Sequence, residues 1–163
     1  MKKADAVAEK VFMYNYFILF GIEPDFNIDL SKLEKKYIEL SRKFHPDVNS
    51  GQLGNIINVN KAYEVLKSPL KRAEHVLDLF NVRGDLSTEI LHELMEMREH
   101  LLDCSDFQSA NRMISEKIKD CMRDLTNAFT IKDFNCAATQ VLRLKYLHKS
   151  LEEVKKNAAN SNF

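Results

Sequence analysis

Leu30, Leu33, Tyr37, Leu40 and Phe44 are spaced by 3, 4, 3 and 4 residues, and the run breaks off at His45-Pro46-Asp47. That spacing puts five large apolar side chains on one buried stripe of an α-helix and leaves Lys32, Lys35, Lys36, Arg42 and Lys43 off it, in solvent. Asp29 is placed to cap its first turn. Proline has no backbone donor and disfavours helical geometry at the residue before it, so the helix is expected to stop at Phe44 or His45. His45 and Asp47 then stand on an exposed tip. Residues 48–55, with Asn49, Ser50, Gly51 and Gly54, read as the loop beyond it. Ile56 or Ile57, Val59, Ala62, Tyr63 and Leu66 resume helical spacing until Ser68-Pro69. A short loop between two striped helices predicts an antiparallel helical hairpin.

The rest of the chain follows the same period. An apolar cluster from Tyr16 to Ile22, closed by Gly21 and followed by Pro24, predicts a short helix ahead of the hairpin. Pro69 suits the first turn of a helix whose face is Leu70, Ala73, Val76, Leu77 and Phe80, reaching Val82 and Gly84. Three more helices are expected: one capped by Ser87 and running to Leu102, one opened by the capping-box pair Ser105 and Gln108 and running to Ala128, and one capped by Asp133. The last carries the stripe Ala137, Val141, Leu144, Leu147, Leu151 and Val154. Short loops make these antiparallel neighbours in a three-helix bundle. The expected organisation is all-α: a leader over 1–14, an N-terminal hairpin module over 15–69, a connecting helix over 70–84, a C-terminal bundle over 85–156 and a loose tail over 157–163.

Only four Gly and three Pro occur among 163 residues, which favours helices over sheets, and the net charge is zero. No global field therefore recruits nucleic acid or a membrane, and the stretch Asp85, Glu89, Glu93, Glu96, Glu99, Asp103 and Asp106, opposed by Arg98, would repel polyanions. The N-terminus shows neither a signal peptide nor a spanning helix, and it lacks an Arg-rich, acid-poor presequence; a bacterial cytoplasm is expected before a mitochondrial matrix. Three widely spaced cysteines, Cys104, Cys121 and Cys136, form no Cys-x-x-Cys pair and are expected to be small packing residues in a reducing compartment.

His45 beside Asp47 invites acid-base catalysis. The sequence offers no Gly-rich turn, no nucleophile-bearing motif and no polar pocket cluster to go with it. His92, Glu93 and Glu96 with His100 share a helical face, but the metalloprotease pattern needs a second His where Glu96 stands, so no metal, no cofactor and no enzyme activity are expected. A basic helix face running into exposed groups without a catalytic partner describes a docking surface.

Three segments carry a resemblance: Tyr16–Gly21 (Tyr-Phe-Ile-Leu-Phe-Gly), the helix ending in Phe44-His45-Pro46-Asp47, and 60–69 (Asn-Lys-Ala-Tyr-Glu-Val-Leu-Lys-Ser-Pro). They resemble a J-domain, the DnaJ-type module. Further on, 69–77 (Pro-Leu-Lys-Arg-Ala-Glu-His-Val-Leu), 94–101 (Leu-Met-Glu-Met-Arg-Glu-His-Leu) and 141–147 (Val-Leu-Arg-Leu-Lys-Tyr-Leu) are similar to the HscB family of J-type co-chaperones in iron–sulfur cluster assembly, so that the likeness spans nearly the whole chain, from about Asn15 to Val154. A monomer is expected, and the resemblance implies two partners. One is an HscA-like, DnaK-class ATPase chaperone, met by His45, Pro46 and Asp47 with Arg42 and Lys43 as the basic approach, whose ATP hydrolysis it would stimulate. The other is an IscU-like scaffold protein, met by Leu91, His92, Met95, Glu96, Arg98, Glu99 and Asp103 together with Tyr146.

Leu91, Met95 and Arg98 make one helical row, and His92, Glu96, Glu99 and Asp103 the row beside it. An apolar anchor inside a polar rim is the anatomy of a contact face. A helix needs an apolar stripe whatever it binds, so Leu91, Leu94 and Met95 could equally face the bundle core. The chain departs from the family at His92, where a long apolar residue is usual, in a shorter loop after Asp47, and in lacking the paired-cysteine zinc motif of some eukaryotic relatives. A general J-domain co-chaperone whose bundle holds a different client is the alternative; the absence of a Gly/Phe-rich linker and of zinc repeats speaks against its common forms.

Overall fold

The computed structural model describes residues 15–45, 53–103 and 106–160, with side chains over 15–45, 55–101 and 106–157. Among these the chain forms seven helices: α1 (Tyr16–Phe20), α2 (Leu30–Lys43), α3 (Leu53–Lys67), α4 (Pro69–Leu79), α5 (Thr88–Asp103), α6 (Phe107–Thr130) and α7 (Phe134–Asn160). The expected leader, Pro46, Asp47 and the loop around residue 50 lie outside the described residues. Two compact units result, Met1–Asn81 and Val82–Phe163. Both are built from helices alone among the described residues, as the all-α reading expects.

In the first unit α3 is the central element, packing on α1, α2 and α4. Asn15 caps α1 by accepting the amides of Phe17 and Ile18, and Gly21 ends it with φ 62°, a left-handed conformation that glycine adopts without a Cβ penalty. Asp29 caps α2 through the amides of Ser31 and Lys32. The α2–α3 register is fixed by Tyr37, whose hydroxyl donates to Asn60 Oδ1 at 3.1 Å and whose ring stacks on Tyr63 at 4.0 Å. That register places Leu30 opposite the very end of α3. Leu33 is therefore fully buried and Tyr37, Leu40 and Phe44 half-buried, while Leu30, expected on the buried stripe, is exposed.

On α3 the buried residues are Val59, Ala62 and Leu66; Ile56 turns inward and Ile57 outward. The helix begins at Leu53, so the loop predicted to run to residue 55 is already helical there. Pro69 opens α4 at its first position, where the missing N–H has no intrahelical partner to lose. The helix stops at Leu79 and leaves Phe80 exposed, earlier than its apolar spacing suggests.

Two polar groups knit this unit together. Arg72 is 6% exposed, with its guanidinium 5.2 Å from the Phe26 ring centroid. Its Nε donates to the Phe26 carbonyl at 2.8 Å and its Nη1 to the Leu66 carbonyl at 2.6 Å. His75 of α4 stacks on Tyr16 and Phe17 and accepts the Tyr16 amide through Nε2 at 3.1 Å. One of the orphan donors at the start of α1 is thus satisfied from another helix.

In the second unit α6 and α7 form the main interface and α5 packs on α7. Ile114, Leu125, Leu144 and Ala137 are fully buried, and every residue of the predicted α7 stripe is buried except Leu151, which is half-buried. α6 is capped by Asp106, not by the expected Ser105. The Asp106 carboxylate accepts the amides of Gln108 and Ser109, and a carboxylate also suits the positive end of the helix dipole. Asp133 caps α7 by accepting the Cys136 amide at 2.9 Å. α7 continues to Asn160, through the first part of the segment expected to be loose. Gly84 lies so close to α7 that a Cβ there would sit 2.6 Å from the Ala138 carbonyl carbon and oxygen. Thr139 Oγ1 donates to the Asp85 carbonyl at 3.2 Å beside it.

Candidate functional site

The described members of the predicted site fall on two surfaces, one on each unit. On the first, α2 ends in Arg42 and Lys43, cations that complement the negative end of the helix dipole. Arg42, Lys43 and His45 are exposed, and the Lys43 Nζ lies 5.6 Å from the Phe44 ring centroid. Tyr37, Ile38, Ser41, Arg42 and His45 line an open groove of about 420 Å³ along the outer face of the hairpin. Among the described residues the Ser41 hydroxyl is buried in its wall without a hydrogen-bond partner. Its rim can donate from a guanidinium and an imidazole while its floor offers Tyr37 and Ile38. Such a surface offers hydrogen-bond donors and apolar contact of the kind an acidic, partly apolar segment would use. Ile38 and Ser41 went unnoticed in the sequence because they lie off the apolar stripe, where only the helix surface itself makes them neighbours of Arg42.

On the second unit, α5 separates core from surface cleanly. Leu94 is 3% exposed and Leu101 is 3% exposed, whereas Leu91 is 41% and Met95 51% exposed. The helix therefore has its buried stripe and, turned away from it, a second apolar pair that the fold does not cover. The row beside that pair is polar: His92 Nδ1 stands 3.4 Å from Glu96 Oε1, and Glu99 is exposed. The side chain of Asp103 lies outside the described residues. Glu93, a candidate ligand in the His92/Glu96 pattern, is instead held by Arg143 at 2.9 Å and approached by Lys117 at 3.9 Å. No group of three or more potential metal ligands occurs among the described residues.

Tyr146 reaches the same surface from α7. Glu93 pairs with Arg143, and Arg98 Nε donates to Glu153 Oε2 at 2.7 Å. The pairings ascend together along both chains, so α5 and α7 run parallel. Half-buried Tyr146 lies on α7 one turn after Arg143 and two before Glu153, between the residues that make the two ion pairs. It is near enough to Arg98 for the two to interact electrostatically. The Glu153 carboxylate raises the Arg98 guanidinium further above its ordinary value, and Arg98 in turn holds Glu153 below the usual carboxylate range. Neither Glu153 nor Arg143 stood out in the sequence, because contacts separated by 55 and 50 residues leave no periodic trace.

The cysteines divide. Cys121 is buried, donates its thiol to Gln140 Oε1 at 3.0 Å and is pushed up by burial to about 11, whereas Cys136 is exposed at the start of α7 and is not the packing residue expected. Cys104 lies outside the described residues. No described helix is long and apolar enough to cross a membrane.

Comparison with known proteins bears on both surfaces. A DnaJ domain model matches residues 15–75, and the model described as the HSCB C-terminal oligomerisation domain matches residues 86–155. A co-chaperone protein HscB homolog of Vibrio parahaemolyticus is 32% identical over 165 residues, covering 86% of this chain and 94% of the relative. One from Neisseria meningitidis is 30% identical over 162 residues, covering 87% and 98%. Among solved structures, the chaperone HscB from Vibrio cholerae superposes with a TM-score of 0.75 at 28% identity, covering 90% of this chain and 98% of the other. The crystal structure of human co-chaperone protein HscB gives 0.78 at 25% identity, covering 88% and 82%.

Proposed function

The chain belongs to the HscB family of J-domain co-chaperones, and from that premise we propose a two-sided adaptor role in iron–sulfur cluster assembly. Leu91 and Met95, with Tyr146 and Arg98 beside them and His92, Glu96, Glu99 and Asp103 as a polar rim, bind an IscU-type scaffold protein. His45, Pro46 and Asp47, approached through Arg42 and Lys43, engage an HscA-type chaperone of the DnaK class and raise its rate of ATP hydrolysis. The chain performs no chemistry of its own. It joins a substrate site to a trigger in one polypeptide, which raises the effective concentration of the scaffold at the chaperone. It acts as a monomer in the bacterial cytoplasm, without nucleic acid or membrane.

One observation carries the scaffold half of this reading: a helix that already buries Leu94 and Leu101 also exposes Leu91 and Met95 side by side. Exposed apolar anchors flanked by charge are the composition of a protein contact rather than of solvated surface. Two measurements test the role. Steady-state hydrolysis by an HscA-type chaperone, with scaffold present, is expected to rise with this protein and to stay near the chaperone's basal rate with His45→Gln. Calorimetric titration with an IscU-type scaffold is expected to show a complex weakened by Met95→Ala and by Tyr146→Ala. Equal stimulation by the His45→Gln form would remove the tip from the mechanism; absence of any complex would leave a J-domain co-chaperone with another client.

A further inference from the structure

We infer that Glu153 is a positioning residue for scaffold binding, fixing the Arg98 side chain across the α5–α7 seam so that its guanidinium stands beside Met95 and Tyr146 ready to donate to the partner. The inference rests on the scaffold reading above and adds to it a residue that is not itself expected to touch the scaffold.

Among the described side chains of α5, Arg98 is the one lysine or arginine on a helix that also carries Glu89, Glu93, Glu96 and Glu99. A long arginine side chain there would sample many rotamers, and the usual local restraint is an acid three or four residues away. Those positions hold Leu94, Met95, Leu101 and Leu102, none of them acidic. The restraint comes from α7, where Glu153 Oε2 accepts from Arg98 Nε at 2.7 Å. Glu153 is only 26% exposed in its side chain against 44% for Arg98, so the carboxylate sits on the bundle side and the guanidinium on the solvent side. Glu153 also has Lys149 and Lys156 one turn away on its own helix, both close enough to act on it electrostatically, yet its hydrogen bond goes to Arg98.

The atom used matters. A bond through Nε orients the guanidinium plane and leaves both Nη groups to donate outward, in the fork geometry that suits a carboxylate or paired carbonyls. Holding the group in advance removes part of the side-chain entropy that binding would otherwise cost. It also keeps a positive charge next to the apolar pair, beside the exposed acids Glu96 and Glu99. The complementary feature on the scaffold is an acidic or carbonyl-rich group beside an apolar socket.

The experiment titrates a purified IscU-type scaffold into the full chain and into Glu153→Gln, Glu153→Ala, Arg98→Ala, the Arg98→Ala/Glu153→Ala double variant and Met95→Ala. Glu153→Ala is expected to weaken binding about two- to fivefold, the range for a partly exposed ion pair, and Glu153→Gln, which keeps an acceptor, by less. In the Arg98→Ala background the Glu153 change is expected to have no further effect. Thermal midpoints are expected to stay together, and the Arg98 Nε–H resonance to lose its protection from exchange in Glu153→Ala, a signature that a merely stabilising role would not produce. If Met95→Ala and Arg98→Ala weaken the complex while Glu153→Ala binds as the wild type does, binds more tightly, or adds its full loss to that of Arg98→Ala, the positioning role is wrong and the docking surface stands. If Met95→Ala and Arg98→Ala also bind normally, the surface itself is wrong and the inference falls with it.

Discussion

His75→Phe would keep a flat ring against Tyr16 and Phe17 while removing the nitrogen that accepts the Tyr16 amide. In the native unit that bond is 3.1 Å long and the ring centroids lie 4.6 and 5.6 Å apart. Nε2 can accept only when the proton is on Nδ1 and the ring is neutral. Burial is the larger influence on His75 and pushes its pKa below the ordinary 6.5; the Asp78 carboxylate opposes this in part. The unfolded chain therefore binds the proton more readily than the folded one, and stability rises with pH. The bond's contribution is complete above about 6.5, the unfolded value, and is lost as pH falls from there through the lowered folded value. Protonation turns the acceptor into a second donor facing the Tyr16 N–H, and leaving a partly buried amide unsatisfied costs about 1–3 kcal/mol. In urea titrations followed by circular dichroism, His75→Phe should be less stable than the wild type by about that amount at pH 8. The gap should narrow steadily toward pH 5, because only the wild type has the bond to lose. The other four histidines are exposed and common to both chains, so the difference between the curves isolates His75. Parallel curves across this window, or a gap that widens on acidification, would refute the reasoning.

Three further outcomes follow from the second unit. Gly84→Ala should lower the melting midpoint, because its Cβ would meet the Ala138 carbonyl carbon and oxygen at 2.6 Å and backbone there cannot yield; overpacking of this kind costs about 1–3 kcal/mol. Leu94→Ala, at a buried position, should cost about 2–5 kcal/mol in chemical denaturation, while Leu91→Ala should leave stability within about 0.5 kcal/mol and weaken the scaffold complex instead. With its thiol held near 11, Cys121 should resist iodoacetamide at pH 8 while Cys136 is alkylated; peptide mass spectrometry reads both, and equal labelling would contradict the buried environment.

Helix positions and faces were legible because they are written in local spacing. The α7 stripe, the α2 stripe from Leu33 onward and the caps at Asp29 and Asp133 all follow from residues within a few positions of one another. Failures came where something distant decided. Leu30 fits its stripe by period, yet α3 ends opposite it, and nothing in residues 30–44 carries that length. Asp106 displaced Ser105 as a cap because two acceptors compete for the same amides and a carboxylate is favoured at the helix N-terminus. Whether Leu91 and Met95 faced core or solvent was open from periodicity alone, since α5 carries apolar residues on two faces; α7 covers only one of them. The Arg98–Glu153 and Glu93–Arg143 pairs were invisible for the same reason.

Arg72 has a consequence for how the first unit comes apart. Its guanidinium is shared between the Phe26 carbonyl, in the connector before α2, and the Leu66 carbonyl, at the corner between α3 and α4. If either segment peeled away alone, a cation would be left in apolar surroundings with half its acceptors missing, so each departure makes the other more favourable. Amides in the two segments should then exchange with solvent in a single opening event rather than as separate frays. The helix that carries Arg42 and Lys43 is mounted on that block. A chaperone pulling on α2 would meet a support that resists as a whole and, once it yields, yields all at once.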